Sequence, residues 1–113
     1  MLLSGCYVPT REQVCLDLGA ERGACRSNAM LHDRLASKFP AGMTDAQLEN
    51  RLNEVFAPRL KSLRVSNEGG TRTVVIPYKV EGFAVCKEAV VMAFRFDGDK
   101  LADIAVDTPA TCL

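Results

Sequence analysis

Five cysteines and a single histidine hold most of the reactive side-chain chemistry in this 113-residue chain. The thiols are Cys6, Cys15, Cys25, Cys86 and Cys112, and the imidazole is His32. A structural zinc site uses closely spaced Cys or His pairs. No C-x-x-C is present, so neither a metal nor a cofactor is expected. A Cys–His nucleophile would need a free thiol of low pKa beside His32. The cysteine count instead favours disulfides in an oxidising compartment. Asp33 follows His32, but adjacent helical residues point about 100° apart, so the pair reads as a solvated helix face. Asp97, Asp99, Asp103 and Asp107 cluster near the end of the chain without the spacing of a calcium loop. Gly69-Gly70 is followed by strand pattern rather than helix, which makes it a hairpin turn and not a phosphate cradle. A catalytic constellation is hard to assemble, and no enzyme activity or small-molecule substrate is expected; the enzyme alternative would require a deep polar pocket near His32.

An odd number of cysteines leaves one over, and Cys6 accounts for it. Leu3-Ser4-Gly5-Cys6 looks like a bacterial lipobox, with two small residues before the thiol that would be acylated. The chance alternative is a Gly-Cys near a loose terminus. The lipobox lacks a charged n-region and has only a short apolar run before it, so residues 1–10 read as a truncated signal and tether. Tyr7, rather than Asp, follows the cysteine, which for such lipoproteins implies the outer membrane. The expectation is a periplasmic protein held to the inner leaflet of the outer membrane by several acyl chains. Lys and Arg number 14, as do Asp and Glu, and this zero net charge argues against nucleic acid as a partner.

The elements that must position these residues follow from periodicity. Thr10 and Gln13 have capping-box spacing and start a helix that Gly19 and Gly23 interrupt. A second helical run covers about Ser27 to Lys38, with Leu31, Leu35 and Phe39 on one face and Pro40 beyond it. Thr44 and Gln47 form another capping box, with Met43 placed to staple against Leu48. That helix carries Leu48, Leu52, Val55 and Phe56 on one stripe and ends before Pro58. After Pro58 the period changes from 3.6 to 2. Strands are expected over Leu60–Ser66, Thr71–Glu81, Phe83–Phe96 and Leu101–Asp107, with Pro77 marking an edge or a bulge. The prediction is one α+β domain over 11–113, with N-terminal helices (about 11–57) packed on a three- to four-stranded antiparallel meander (about 59–107), stapled by disulfides.

Hydrophobic pattern sets the register of the last hairpin. Val90, Met92, Phe94 and Phe96 alternate on one strand, and Ala102, Ile104 and Val106 on the next. Opposed residues share a face, so these sets must pair, and paired numbers must sum to an even value. A three-residue loop over 98–100 pairs 97 with 101 and gives Phe94 opposite Ile104, Met92 opposite Val106 and Arg95 opposite Asp103. The same sum sets Cys86 opposite Cys112, within disulfide reach; a shift by two residues would leave them diagonal. Cys15 and Cys25 remain. In one unbroken helix their Cα atoms would stand about 15 Å apart. Either the Gly19–Gly23 segment turns the chain back and a bridge forms, or both thiols stay free.

The other face of this sheet carries Val75, Val91, Ala93 and Ala105 among Lys79, Lys87, Arg95 and Asp103. An apolar middle with a charged rim is the anatomy of a protein-binding patch. The alternative is that the N-terminal helices bury it.

Gly42-Met43-Thr44-Asp45-Ala46-Gln47-Leu48 resembles the G-M-T-x-x-Q-V opening of the SmpA/OmlA (BamE-like) outer-membrane lipoproteins. Ala93-Phe94-Arg95-Phe96-Asp97-Gly98-Asp99-Lys100-Leu101 is similar to that family's closing v-x-F-D-x-x-g-k-v run. The likeness spans about residues 42–106. Of the family's L-G-x-P helix ending, Val55-Phe56-Ala57-Pro58 keeps the proline, and the tryptophan-bearing middle strand has no counterpart. The resemblance implies a role in outer-membrane protein assembly, through binding of partner lipoproteins and barrels. The chain is therefore expected to be a non-catalytic envelope scaffold. The alternative is a periplasmic immunity or inhibitor lipoprotein that blocks a secreted toxin or hydrolase.

Overall fold

A computed structural model describes residues 10–57, 63–80 and 86–112, and the side chains of 10, 78–80, 86–88 and 110–112 lie outside that description. Cys6 with its lipobox, Pro58, and the expected starts of the first and third strands also lie outside it.

Three helices precede the sheet: α1 (Thr10–Asp17), α2 (Asn28–Lys38) and α3 (Asp45–Val55). Ser27 caps α2, its hydroxyl accepting from the Met30 N–H at 3.2 Å. At α3 the capping box is complete. The Thr44 hydroxyl accepts from Gln47 N–H at 3.2 Å, and the Gln47 side chain accepts from Thr44 N–H at 3.0 Å. Each cap satisfies donors that the first helical turn leaves open. The spacing of Leu31, Leu35 and Phe39 on α2, and of Leu48, Leu52 and Phe56 on α3, turns all six inward.

The sheet is an antiparallel meander of β1 (Arg64–Glu68), β2 (Thr71–Val80), β3 (Cys86–Asp97) and β4 (Lys100–Asp107). A further short strand, β5 (Ala110–Cys112), pairs with β3 beyond the end of β4. The first strand therefore runs on to Glu68, where the sequence pattern had it turn at Asn67. Gly69 and Gly70 make the two-residue turn with φ of 56° and 83°. Both values are positive, as a type I′ hairpin requires, and only residues without Cβ adopt them cheaply. Pro77 sits on β2 opposite Ala89, past Val75, where the described pairing with β1 stops. Its missing N–H costs no described ladder bond.

The β3–β4 hairpin corrects one expectation. The loop is not 98–100: Asp97 pairs with Lys100 and Phe96 with Leu101, across a turn of Gly98 and Asp99. The register then shifts, so that Arg95 faces Asp103, Phe94 faces Ile104 and Met92 faces Val106 as anticipated. Ala102 is the extra residue of a β-bulge. The bulge explains why Leu101 and Ile104, of opposite parity, are both buried (2% and 8% exposed). Leu101 also bonds sideways on the outer edge of β4, donating to Met43 O at 2.7 Å and accepting from Gly42 N–H at 2.8 Å.

All three helices cover one side of the sheet. Val74, Ile76, Val90, Met92 and Phe94 are fully buried there, in one cluster with the helix stripes and with Val14, Cys15, Leu18 and Cys25. Phe39 stands edge-on to Phe94, ring centroids 5.3 Å apart, a geometry favoured by the ring quadrupoles. The helices thus leave the Val75–Val91 side to solvent.

Candidate functional site

The uncovered side is a set of lateral rows fixed by the register. One runs Arg64, Val75, Val91, Asp107; the next Ser66, Thr73, Ala93, Ala105; the third Glu68, Thr71, Arg95, Asp103. Val75, Thr73, Val91 and Ala93 are half-buried by one another, and Ala105, Arg95 and Asp103 are exposed. The middle row consists of small side chains, so the face is shallow. Valines flank the row on one side and paired charges on the other.

Arg95 and Asp103 meet in a forked contact, Nε to Oδ1 at 3.0 Å and Nη2 to Oδ2 at 2.7 Å. The planar guanidinium suits this bidentate geometry. The hydrogen bond from Arg95, with its charge and more weakly that of His32, holds the Asp103 carboxyl below the usual carboxylate range. Asp103 in turn raises the Arg95 guanidinium. Lys79 and Lys87 stand opposite each other in the register. Their side chains lie outside the described residues.

Cys15 and Cys25 are brought to bonding distance, with Cα atoms 6.2 Å apart. The helix does not continue between them. Leu18 and Ala20 N–H close the end of α1 on Val14 O and Cys15 O, and Gly19 takes φ 84°, turning the chain back. Of the two arrangements the sequence allowed, this is the bridged one. Arg11 reinforces the corner, reaching Arg26 O at 2.8 Å and Cys25 O at 3.3 Å. Sequence reasoning missed this contact, because a side chain bonding to distant carbonyls leaves no periodic mark. Cys86 and Cys112 are directly opposite in the β3–β5 register. Ala89 N–H donates to Pro109 O at 3.1 Å, so that pair lies at a bonded position of the ladder, although Pro109 has no N–H to return. By alternation Cys86 and Cys112 fall in a non-bonded pair, the closer of the two types.

No family model, no curated protein and no solved structure matches the chain.

Several other polar groups pair within the fold. His32 Nδ1 lies 3.8 Å from Asp33 Oδ1, both on the surface of α2. A cleft of about 390 Å³ near the two hairpin turns is lined by Asp45, Asn67, Thr71, Arg72 and Phe96. Arg72 fills its polar side, paired with Asp45 and donating to Asn67 Oδ1 at 3.1 Å. Asp107 Oδ1 accepts from Thr108 N–H at 2.9 Å. Among the described residues no three His, Cys, Asp or Glu side chains converge as a metal site would need. No helix among them is long and apolar enough to cross a membrane.

Proposed function

We propose that the chain is an envelope lipoprotein that works without catalysis as a protein-binding scaffold or assembly factor, tethered through Cys6 to the inner leaflet of the outer membrane. The observation that carries this reading is the uncovered sheet face. Val75, Val91, Ala93 and Ala105 form its apolar strip, and Arg95, Asp103 and Asp107 part of its charged rim. A shallow strip of small and β-branched side chains fits a protein surface better than a small molecule, which asks for a concave pocket. The Cys15–Cys25 pair suits an oxidising compartment. The likeness of the 42–48 and 93–101 segments to the SmpA/OmlA lipoproteins supports assembly work as the role.

A photo-crosslinking residue at Ala105, in the membrane-anchored protein, tests the face directly. Ala105 is expected to capture outer-membrane assembly components, and the same probe at exposed Met30 on α2 is expected to capture none. Capture of one secreted toxin or hydrolase from Ala105 would replace the scaffold with an inhibitor. No capture from Ala105 would overturn both. Cys6→Ala is expected to release the protein from the membrane fraction.

A further inference from the structure

The edge of the sheet carries information that the open face does not. β1 ends the strand order β1-β2-β3-β4, and among the described residues nothing pairs with its outer side. All five of its residues are exposed, and Val65 is the most exposed large apolar side chain described, at 52%. Natural sheets protect such edges with proline, bulges, short strands or charged side chains, most effectively charges of one sign that repel a second copy. The strand Arg64-Val65-Ser66-Asn67-Glu68 is short but has no proline and no bulge, and its two charges are opposite in sign, so they do not repel a second copy. The opposite edge differs, because Gly42 and Met43 occupy the outer side of β4 at Leu101.

Ladder alternation fixes which backbone groups of β1 face outward. Phe96 N–H donates to Gly70 O at 2.9 Å, so even-numbered residues of β2 bond to β3 and odd-numbered ones to β1. Thr71, Thr73 and Val75 therefore take up Glu68, Ser66 and Arg64. The N–H and C=O groups of Val65 and Asn67 are left pointing away from the sheet.

We propose that two copies of this chain associate through β1, antiparallel about a two-fold axis at Ser66. In that register Val65 and Asn67 of each copy exchange backbone hydrogen bonds with Asn67 and Val65 of the other. Arg64 stands opposite the second copy's Glu68 at both ends, in the close, non-bonded pairs where side chains interact most. The strand is thus self-complementary in charge. A slip of two residues in either direction loses both Arg–Glu pairs, so the charges select one register. The two-fold is isologous and closes, giving a dimer rather than a filament. Its axis stands perpendicular to the sheet, so the two open faces join into one continuous surface. A ladder this short makes a weak, concentration-dependent dimer.

Sedimentation equilibrium of the full chain, from micromolar to millimolar concentration, tests this. The wild type is expected to shift from monomer to dimer. Arg64→Glu places Glu opposite Glu, and Glu68→Arg places Arg opposite Arg. Each reversal should weaken association about ten-fold or more. An equimolar mixture of the two variants should recover it as a heterodimer, and so should the double reversal in one chain. Because both side chains are exposed, each variant should keep the wild-type far-ultraviolet circular dichroism. A wild type that stays monomeric at millimolar concentration overturns the proposal. So does association indifferent to either reversal, or a mixture that fails to associate.

Discussion

The two faces of the sheet are built from the same strands, and only alternation separates them. Val74, Ile76, Val90, Met92 and Phe94 on one side are wholly shielded by the helices. Val75, Val91 and Ala93, one residue away in each case, are only half-buried, and among the described residues no helix covers them. The covered side uses large side chains and an aromatic contact. The open side uses small ones with an ion pair at its edge. Burial energy scales with apolar area removed from water, so stability is concentrated on the first and the second is left free to vary. A period of two residues lets one strand pack a core on one face and present a different, solvent-facing surface on the other.

The largest expected effect tests that division directly. Phe94→Ala should destabilise by about 3–5 kcal/mol, by lost transfer energy and a cavity against Phe39. Val91→Ala, its neighbour on the other face, should cost about 1 kcal/mol or less. Urea denaturation of both variants measures the contrast, and similar losses would mean the open face is structural. Next comes the corner that holds α1 on the covered side. Replacing Cys15 and Cys25 together with serine should lower stability by about 2–3 kcal/mol. Capture from an Ala105 probe should be unaffected, since Cys15 and Cys25 do not contribute to that face. Peptide mapping without reduction should recover Cys15–Cys25 and Cys86–Cys112 as the two bridges. Thr44→Ala removes one half of the α3 capping box and should cost about 1 kcal/mol in thermal unfolding.

The smallest effect lies on the open face itself. The hydrogen bond from Arg95 lowers the Asp103 carboxyl in the folded state. A lowered folded pKa means that its stabilisation is present above the ordinary carboxylate value and is lost as pH falls through the lowered one. The pair is exposed and the contribution small, so the readout is the titration rather than stability. By NMR, Asp103 should titrate below the usual range, and Arg95→Gln should return it to that range.

Local signals were legible because they are short. The Thr44–Gln47 box, the four-residue recurrence of Leu31, Leu35 and Phe39, and the Gly69–Gly70 turn each depend on neighbours in sequence. The hairpin register beyond the bulge was also legible, because a mismatch would have set Ile104 against the wrong face. What escaped depends on distant partners. The bulge at Ala102 is announced only by Leu101, a large apolar residue of the wrong parity. Strand alternation alone cannot say that Met43 waits beside it. Which face the helices choose is decided by how three separate stripes fit one surface, and β5 exists only because β3 outlasts β4. For the open face, the sequence supplied its members but not its emptiness.

The packing of α2 on β4 has a consequence for a chain that emerges from its N-terminus first. Leu31, Leu35 and Phe39 are made well before β4, the strand on which α2 packs. The Thr108 hydroxyl donates to Asn28 Oδ1 at 3.1 Å, across 80 positions of sequence. Until Lys100–Asp107 arrives, the helices carry an exposed greasy stripe with no native place to go. The interval before closure is when that exposed apolar stripe most favours aggregation.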